Sequence, residues 1–407
     1  MSAIPRGGVF ASPSFRQYFA GQAFSYVGDG LRTLAVPLLV YHLTHSALST
    51  SASFVCELGP FALFGLVGGS LADRVDRRRL MIACDLVRFL VMTAFAVVFA
   101  MGALTVPMLY AGLVVISICA AFFLGGQSSS IPYLLGKSQT TQATAALMAA
   151  ESTSNMIAPM AGGALFGIFG PLPALAINAF TYLCSQASLA LVPTLGPDDP
   201  HGLPSLRTVV HDIAAGFRFL LRDEAMRAVS LTSLLLNVFG IGGYSILIPF
   251  LKRDFGASDG GVGLFLGISA CGAIVGSLLA GKLATRWPFG RALTAAYAID
   301  ALFFVPVVLA HNVWLAAIFW TIGNGGAQFE ATQIIGWRLR VTPDEMVGRV
   351  FGAVRLFVLC GMAPGVLVFG YLADRIGPHP AMAVAAAGYL AVALGAVLAP
   401  AIRNDAR

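Results

Sequence analysis

The chain has 407 residues, of which 57 % are hydrophobic and only 11 % are charged. Soluble chains carry roughly a quarter charged residues, so this composition excludes an ordinary soluble enzyme or binding domain and indicates a protein embedded in lipid. The net charge of +6 does not indicate nucleic-acid binding, because basic residues also accumulate in the cytoplasmic loops of membrane proteins and no nucleic-acid-reading motif is present.

Apolar stretches long enough to cross a bilayer as helices follow one another along the whole chain. Their long apolar runs, without strict alternation, argue against a transmembrane β-barrel. The predicted fold is therefore an all-α polytopic membrane protein with about twelve transmembrane helices in two pseudo-symmetric six-helix halves. The predicted spans are 15–41, 47–72, 80–101, 106–135, 140–168, 173–193, 224–251, 258–284, 290–310, 312–338, 344–372 and 379–401.

One long polar connection separates the two sets of six spans. It opens with the helix-breaking cluster from Gly196 to Pro200 and continues as an amphipathic helix from Ser205 to Arg222, predicted to lie along the membrane surface. The predicted domains are therefore an N-terminal six-helix bundle (1–194), a cytoplasmic linker (195–223) and a C-terminal six-helix bundle (224–407).

The distribution of Lys and Arg predicts the orientation of the chain. With both termini in the cytoplasm, 19 of the 25 basic residues fall in inner loops and tails and three fall in outer loops. Cytoplasmic loops carry such an excess. The first residues lack the order of regions typical of a cleaved signal peptide, so we expect a multi-pass inner-membrane protein that retains its first span.

The two halves resemble each other in sequence. Pro37-Leu38-Leu39 in the first half recurs as Pro249-Phe250-Leu251 in the second, and the same spacing along the chain relates Arg79 to Arg291. Parallel six-span repeats of this kind are an architecture of secondary transporters.

Charged side chains inside predicted spans are costly, and they usually mark a transport pathway or an ion pair. Depths in the membrane, worked out from the rise per residue of a helix, predict that Asp29, Arg32 and Glu57 can meet. The same depths predict that Glu330 pairs with Arg355. Glu151 has no predicted basic partner, so Glu151 and Asp29 are the candidate proton carriers. The alternative is that these charges only fix helix packing. The candidate proton-coupling and cavity residues are Asp29, Arg32, Glu57, Glu151, Glu330 and Arg355.

Polar stripes run along four otherwise apolar spans, the first, fourth, seventh and tenth. Such stripes must face water or polar partners rather than lipid, and the alternative to a cavity is hydrogen bonding between helices. Asp85 and Arg88, on the third span, are predicted to form a packing pair. The predicted polar cavity lining is Gln22, Tyr26, Gln127, Asn237, Tyr244, Asn324 and Gln328.

The loop after the second span reads Gly69-Ser-Leu71-Ala-Asp73-Arg74-Val-Asp76-Arg77-Arg78-Arg79. This pattern resembles the signature that major facilitator transporters carry between helices 2 and 3, with Asp76 where the family pattern has Gly. The resemblance implies that helices 1, 4, 7 and 10 line a central cavity. It also implies that Asp73 closes the cytoplasmic side by docking on the N-terminus of helix 11, predicted to begin at the capping box Thr342–Glu345. The motif residues are Gly69, Leu71, Asp73, Arg74, Arg77 and Arg78.

Two further motifs refine the resemblance. Pro159, Gly162 and Gly163 in the fifth span are similar to the tail of the family's antiporter motif, and the opening of the first span, Gly28 to Arg32, resembles the siderophore and macrolide exporter branch. The implied function is a proton-coupled antiporter that exports small lipophilic compounds such as drugs, antibiotics, siderophores or secondary metabolites by alternating access. The expected partners are a small-molecule substrate, protons and the lipid bilayer, with a monomeric protein and no cofactor, metal or nucleic acid.

Other functions remain as alternatives. An importer or a lipid flippase would share these features. A membrane enzyme would need a constellation such as HExxH or GxSxG, and neither occurs. A sensor or scaffold without flux would be expected to carry an added soluble domain. The motif GxxxxGK[ST] is absent as well, which argues against ATP as the energy source.

Overall fold

The computed structural model describes residues 8–72, 75–192, 195, 206–283 and 287–403, and within these ranges the chain is helical without strands. Short 3₁₀ turns precede α1, α5 and α13. The helices are α1 (Pro13–Thr44), α2 (Ala47–Ala72), α3 (Arg77–Ala100), α4 (Val106–Leu135), α5 (Thr140–Phe169), α6 (Leu172–Ala190), α7 (Leu206–Arg222), α8 (Glu224–Ser245), α9 (Leu247–Asp254), α10 (Asp259–Leu283), α11 (Phe289–Leu309), α12 (Val313–Val341), α13 (Val347–Ile376), α14 (Pro378–Leu398) and α15 (Pro400–Arg403).

Eight of these helices, among the residues that the structure describes, are long and apolar enough to cross a membrane: α2, α3, α4, α8, α10, α11, α13 and α14. The prediction of an all-α polytopic membrane protein is confirmed. The other long helices, α1, α5, α6 and α12, are less apolar, and three of them carry residues of the predicted polar and charged sets. The total of twelve spans stays a prediction.

The chain divides into two compact units. The first comprises Met1–Leu39 and Cys56–Pro204, and the second comprises Val40–Val55 and Ser205–Arg407. The segment Val40–Val55 therefore packs within the second unit, although it contains the end of α1 and the beginning of α2. We call this segment the α1–α2 corner. The domain boundaries drawn from the polar linker remain a prediction.

Small residues set the helix spacing inside each unit. In the first unit, a Cβ atom at Gly28 of α1 would lie 1.9 Å from the hydroxyl oxygen of Thr181 on α6. In the second unit, Cβ atoms at Gly272 and Gly276 of α10 would each lie 1.9 Å from a backbone oxygen of α12. Since lipid offers no hydrophobic drive for association, close backbone approach through glycines supplies the packing that holds such helices together.

Two predicted helix boundaries in the second half are wrong. The seventh predicted span ends early, because the helix breaks at Ile246 between α8 and α9. Pro249 cannot donate to the carbonyl of Ser245 four residues earlier, and the Ser51 hydroxyl approaches that oxygen at 3.4 Å instead. The predicted capping box also fails: a 3₁₀ turn precedes α13, which begins at Val347, and the buried Thr342 hydroxyl has no hydrogen-bond partner among the described residues.

The amphipathic helix predicted after the linker is present as α7. Its Phe217 ring contacts the Phe357 ring of α13, with centroids 6.3 Å apart, and Leu220 is fully buried. Part of the apolar face is therefore covered by α13. Contact with the membrane surface stays a prediction.

Candidate functional site

A partly buried ion network lies in the first unit where α1, α2 and α6 meet. Arg32 donates from Nη2 to Oε1 of Glu57 over 2.8 Å, and its Nε lies 3.7 Å from Oδ1 of Asp29. The Tyr182 hydroxyl donates to the same Asp29 oxygen over 2.5 Å. The expectation that Asp29, Arg32 and Glu57 meet agrees with this geometry, while sequence reasoning missed Tyr182, which lies on α6.

Arg32 is only partly satisfied within this network. Its Nε and Nη1 atoms are buried and make no hydrogen bond to any described residue. A guanidinium has five N–H donors, so the unused donors leave Arg32 able to bond either acid. One cation thus stands between two carboxyl groups, and the network carries one negative charge more than it neutralises when both are ionised.

Glu151 departs from the expectation of a lone buried carboxyl, because its side chain is exposed on α5. It still interacts electrostatically with Asp29 and with Tyr26. The amide of Gln127 donates to the Tyr26 hydroxyl over 2.6 Å. The predicted polar stripes of the first and fourth spans therefore meet beside the ion network.

A second ion pair adjoins this network. Asp85 and Arg88 on α3 lie 3.2 Å apart and both are buried, as expected for an i, i+3 packing pair. The Arg88 guanidinium lies over the rings of Phe123 and Tyr182, 4.8 Å and 5.6 Å from their centroids. The same Tyr182 ring thus links the packing pair to Asp29.

The second unit contains a cavity of about 320 Å³ between α8, α10, α11, α12 and α14. Its walls combine aromatic rings with amide groups and two carboxyl groups. The predicted cavity residues Asn237, Tyr244, Asn324 and Gln328 all line it, whereas its aromatic wall was not predicted. The rings of Phe304 and Trp320 form that wall with their centroids 5.6 Å apart.

Two acids face this cavity. Asp300 of α11 accepts a short hydrogen bond from the Tyr389 hydroxyl, and Glu330 of α12 is buried nearby. The predicted Glu330–Arg355 pair is wrong: no ion pair joins these two residues in the described part of the chain, and the charge that acts on Glu330 is that of Asp300. Depth along the helix axis placed the two residues at one level but could not give their directions around it.

The predicted cytoplasmic gate motif is described only in part. Asp73 and Arg74 lie outside the described residues, and nothing is described of the Gly69 position beyond its place in α2. Asp76 replaces the family's Gly without strain, because it acts as the N-cap of α3 and accepts from the Arg78 backbone N–H over 3.0 Å.

Two basic residues of this motif, Arg77 and Arg78, have partners within the first unit. The Arg77 guanidinium lies over the Tyr133 ring, 4.5 Å from its centroid. Arg78 donates to the backbone oxygen of Ala190 over 2.7 Å. These contacts join the start of α3 to α4 and to the end of α6.

The antiporter-like motif brings α1 and α5 together. A Cβ at Gly162 would lie 3.3 Å from the Leu31 side chain, and a Cβ at Gly30 would lie 2.6 Å from that of Ala158. Pro159 and Gly163 are buried on the same face of α5. The motif thus sets the distance between α5 and the helix that carries Asp29.

Comparisons with known proteins agree with this architecture. The model of the transmembrane secretion effector family matches residues 8–406. The enterobactin exporter EntS of Escherichia coli O1:K1 is 28 % identical over 399 residues, which cover 95 % of this chain and 91 % of that protein. EntS of Escherichia coli O139:H28 is 27 % identical over the same length.

Solved transporters share the fold at low identity. A bacterial homologue of the human lysosomal transporter Spinster superposes with a TM-score of 0.77 at 16 % identity, covering 97 % of this chain and 98 % of that one. The nucleoside transporter NupG gives a TM-score of 0.76 at 12 % identity, with 94 % and 98 % covered. The chain is therefore a multi-pass secondary transporter, not an enzyme, and belongs to the transmembrane secretion effector family of the major facilitator superfamily.

Proposed function

We propose that this protein exports a lipophilic, aromatic small molecule of the siderophore or antibiotic type across the inner membrane in exchange for protons. The observation that carries the proposal is the cavity of the second unit, which is lined by aromatic and amide side chains. Similarity to exporters of enterobactin supports a siderophore-like substrate. We further propose that the protein works as a monomer with both termini in the cytoplasm.

The chemistry of the cavity supports this substrate class. Aromatic rings stack on the flat groups of a ligand, and amides such as Asn324 supply both donors and acceptors for its polar atoms. Cavities of a few hundred cubic ångströms suit small-molecule ligands. A siderophore-like compound with aromatic rings and amide or ester groups would use both kinds of wall.

The ion network of the first unit supports proton coupling. Asp29 is the network acid with the larger exposed side chain, 34 % against 22 % for Glu57, and Glu57 makes the closer ion pair with Arg32. We therefore assign Glu57 to holding Arg32 in place. Asp29, together with the exposed Glu151, is assigned to exchanging protons with water.

The test uses inverted membrane vesicles whose lumen is acidified by respiration, with a pH-sensitive dye inside. A panel of siderophores, lipophilic antibiotics and dyes is added to vesicles with the wild type, with Asp29→Asn plus Glu151→Gln, or with Asp254→Asn as matched control. Asp254, at the end of α9, belongs to neither the ion network nor the cavity.

Alkalinisation by a panel compound in the wild type and the control, lost in the double variant, would support proton-coupled export. Substrate accumulation without alkalinisation would support export and refute proton coupling. If no compound moves although the protein is present at wild-type level, the export proposal fails for this substrate class, and import or lipid flipping gains support.

A further inference from the structure

Two uncompensated carboxyl groups face the cavity of the second unit. Asp300 is 7 % exposed and Glu330 is 8 % exposed, and both line the same space. Tyr389 donates to Asp300, whereas the Glu330 carboxyl makes no hydrogen bond or ion pair with any residue that the structure describes. No Lys, Arg or His occurs among the described residues of the lining.

The surrounding residues make room for these acids but do not neutralise them. A Cβ at Gly323 would lie 3.1 Å from Oδ1 of Asp300, and a Cβ at Gly326 would lie 3.3 Å from its Cβ, so α12 accommodates Asp300 through glycines. Arg338 on α12 is two turns beyond Glu330, about 12 Å along the helix axis. The titratable groups around the pair are the phenols of Tyr244, Tyr297 and Tyr389 and, beyond them, Arg338.

We propose that Asp300 and Glu330 form a cation site, which holds a proton in the empty transporter and the positive group of a lipophilic organic cation in the loaded one. Two like charges that share a desolvated space repel each other, so a positive charge is required to balance them. The ring of Trp320 on the same wall adds a cation–π surface for an organic cation.

This inference rests on the proposed export through the cavity and extends it to the charge of the substrate. Acidic walls attract cationic compounds, admit neutral ones and repel anions. We therefore expect the transporter to prefer the uncharged or cationic form of an ionisable substrate over its anionic form.

The site is tested on purified protein in detergent, without a gradient or flux, so that its failure is distinct from failure of the vesicle assay. Binding of tetraphenylphosphonium is measured by calorimetry from pH 5 to pH 8 in the wild type, Glu330→Gln, Asp300→Asn and the control Asp254→Asn. If a proton competes for the site, affinity rises by up to about tenfold per pH unit. We expect Glu330→Gln to weaken binding at least tenfold and to flatten this pH dependence.

A second readout covers the case in which the cavity takes only a proton. The infrared carboxyl band is followed through the same pH range, and a band lost in Glu330→Gln supports the site as a proton site even when the organic cation does not bind. Wild-type cation binding and an unchanged carboxyl band in both variants would overturn the proposal. Asp300→Asn serves as the second variant if Glu330→Gln does not fold.

A different observation carries a second inference, about the α1–α2 corner. The sequence Gly370-Tyr-Leu-Ala-Asp374-Arg375 at the end of α13 repeats the gate motif Gly69-Ser-Leu-Ala-Asp73-Arg74 of the first half. The Lys and Arg pattern predicts that the end of α13 faces the outside. The motif therefore recurs on the opposite side of the membrane from its first copy.

The second copy holds the N-terminus of α2. The Asp374 carboxylate accepts from the backbone N–H groups of Ala47 and Leu48 over 2.7 Å and 3.1 Å, and from the Ser46 hydroxyl over 2.5 Å. A Cβ at Gly370 would lie 2.9 Å from Cα of Leu48, so glycine permits this approach. An acid at a helix N-terminus satisfies free N–H groups and the helix dipole together.

Further polar contacts fix the same corner. His42 lies 3.0 Å from Asp259, which also pairs with Lys252 at 2.6 Å. Arg253 donates to the backbone oxygen of His45 and, over 3.1 Å, to the Tyr41 hydroxyl. We infer that Asp374 is the latch of an outer gate, which releases the α1–α2 corner when the transporter opens outward.

The latch is tested with spin labels at the exposed positions Leu43 and Ile376, and their distance distribution is measured in the wild type, Asp374→Ala, Ser46→Ala and the control Asp254→Ala. We expect Asp374→Ala to add a longer-distance population at least threefold above the wild type, and Ser46→Ala, which removes one of three bonds, to add a smaller one. Distributions equal to the wild type in both variants would refute the latch.

Discussion

Replacement of Arg32 by Met tests whether the ion network of the first unit stabilises the fold. The substitution keeps the aliphatic stem and removes the cation from between Glu57 at 2.8 Å and Asp29 at 3.7 Å. Leaving one partner of a buried pair uncompensated costs about 3–5 kcal/mol. Glu57 is 22 % exposed and Asp29 is 34 % exposed, so water screens part of the loss and we expect the lower end, about 3 kcal/mol.

A loss of this size lowers the apparent melting temperature by about 4 °C, given the unfolding entropy of a chain of this length. The measurement is thermal unfolding of the detergent-solubilised protein, followed by size-exclusion chromatography. Arg32→Met combined with Glu57→Gln removes both charges of the close pair and should recover at least half of the loss.

The matched control for this prediction is Arg79→Met, the same substitution at an exposed ion pair. Arg79 is 87 % exposed and lies 3.5 Å from Asp76, so its removal should cost less than about 1 kcal/mol. If Arg32→Met shifts the melting temperature no more than Arg79→Met does, the network does not stabilise the fold and its charges are retained for transport alone.

Three further predictions concern packing, coupling and substrate binding. Gly276→Ala should cost about 1–3 kcal/mol by overpacking α10 against α12, whereas Gly281→Ala on the same helix, with nothing within 4 Å of its Cβ, should be neutral in the same melting assay. Tyr182→Phe removes the hydrogen bond to Asp29 and should slow dye alkalinisation in vesicles by about tenfold, a loss of about 1.4 kcal/mol, without lowering protein level; an unchanged rate would exclude this bond from coupling. Trp320→Ala should raise the apparent KM for export about tenfold, measured as substrate uptake into inverted vesicles, and a changed maximal rate alone would contradict a role in binding.

The sequence was sufficient for the fold class because lipid imposes a long-range constraint on composition. Long apolar runs must be helices in a bilayer, so α2, α3 and α4 lie within a few residues of their predicted bounds. Boundaries failed where local chemistry decides them, as at Pro249, where a missing donor breaks the helix between α8 and α9. The periodicity of an apolar run contains no such information.

The types of the residues in an apolar helix were enough to identify candidate site residues, but not to predict which residues they contact. Polar side chains in apolar helices identified Asn237 and Asn324, because only a cavity or a neighbouring helix can satisfy them. The direction of Glu330 toward Asp300 depends on how α11 and α12 rotate against each other. Glycines on the contacting faces set that rotation, and a single sequence does not show which glycines face which helix.

The ion network of the first unit and the cavity of the second use equivalent positions of the internal sequence repeat. In the register that aligns Arg79 with Arg291, the network residues Asp29, Arg32 and Glu57 correspond to Ile241, Tyr244 and Ser269. All three counterparts line the cavity. The positions that carry salt-bridged side chains in the first unit thus carry uncharged cavity residues in the second.

The tyrosines of the two sites correspond as well. The register that aligns Gly170-Pro171 with Gly377-Pro378 also aligns Tyr182 with Tyr389. Each phenol donates to a carboxylate, Tyr182 to Asp29 and Tyr389 to Asp300.

Asp300 itself corresponds to Arg88 in the register that aligns Arg79 with Arg291. A buried acid therefore replaces a buried base next to Tyr389. The first unit pairs its acids with Arg32 and Arg88, whereas the second unit keeps the tyrosine and has Asp300 in place of Arg88. The repeat therefore preserves the tyrosine that donates to a carboxylate, and it replaces a positive side chain with a negative one. This substitution is the reason to expect a bound cation in the second unit, where no described side chain of the lining supplies one.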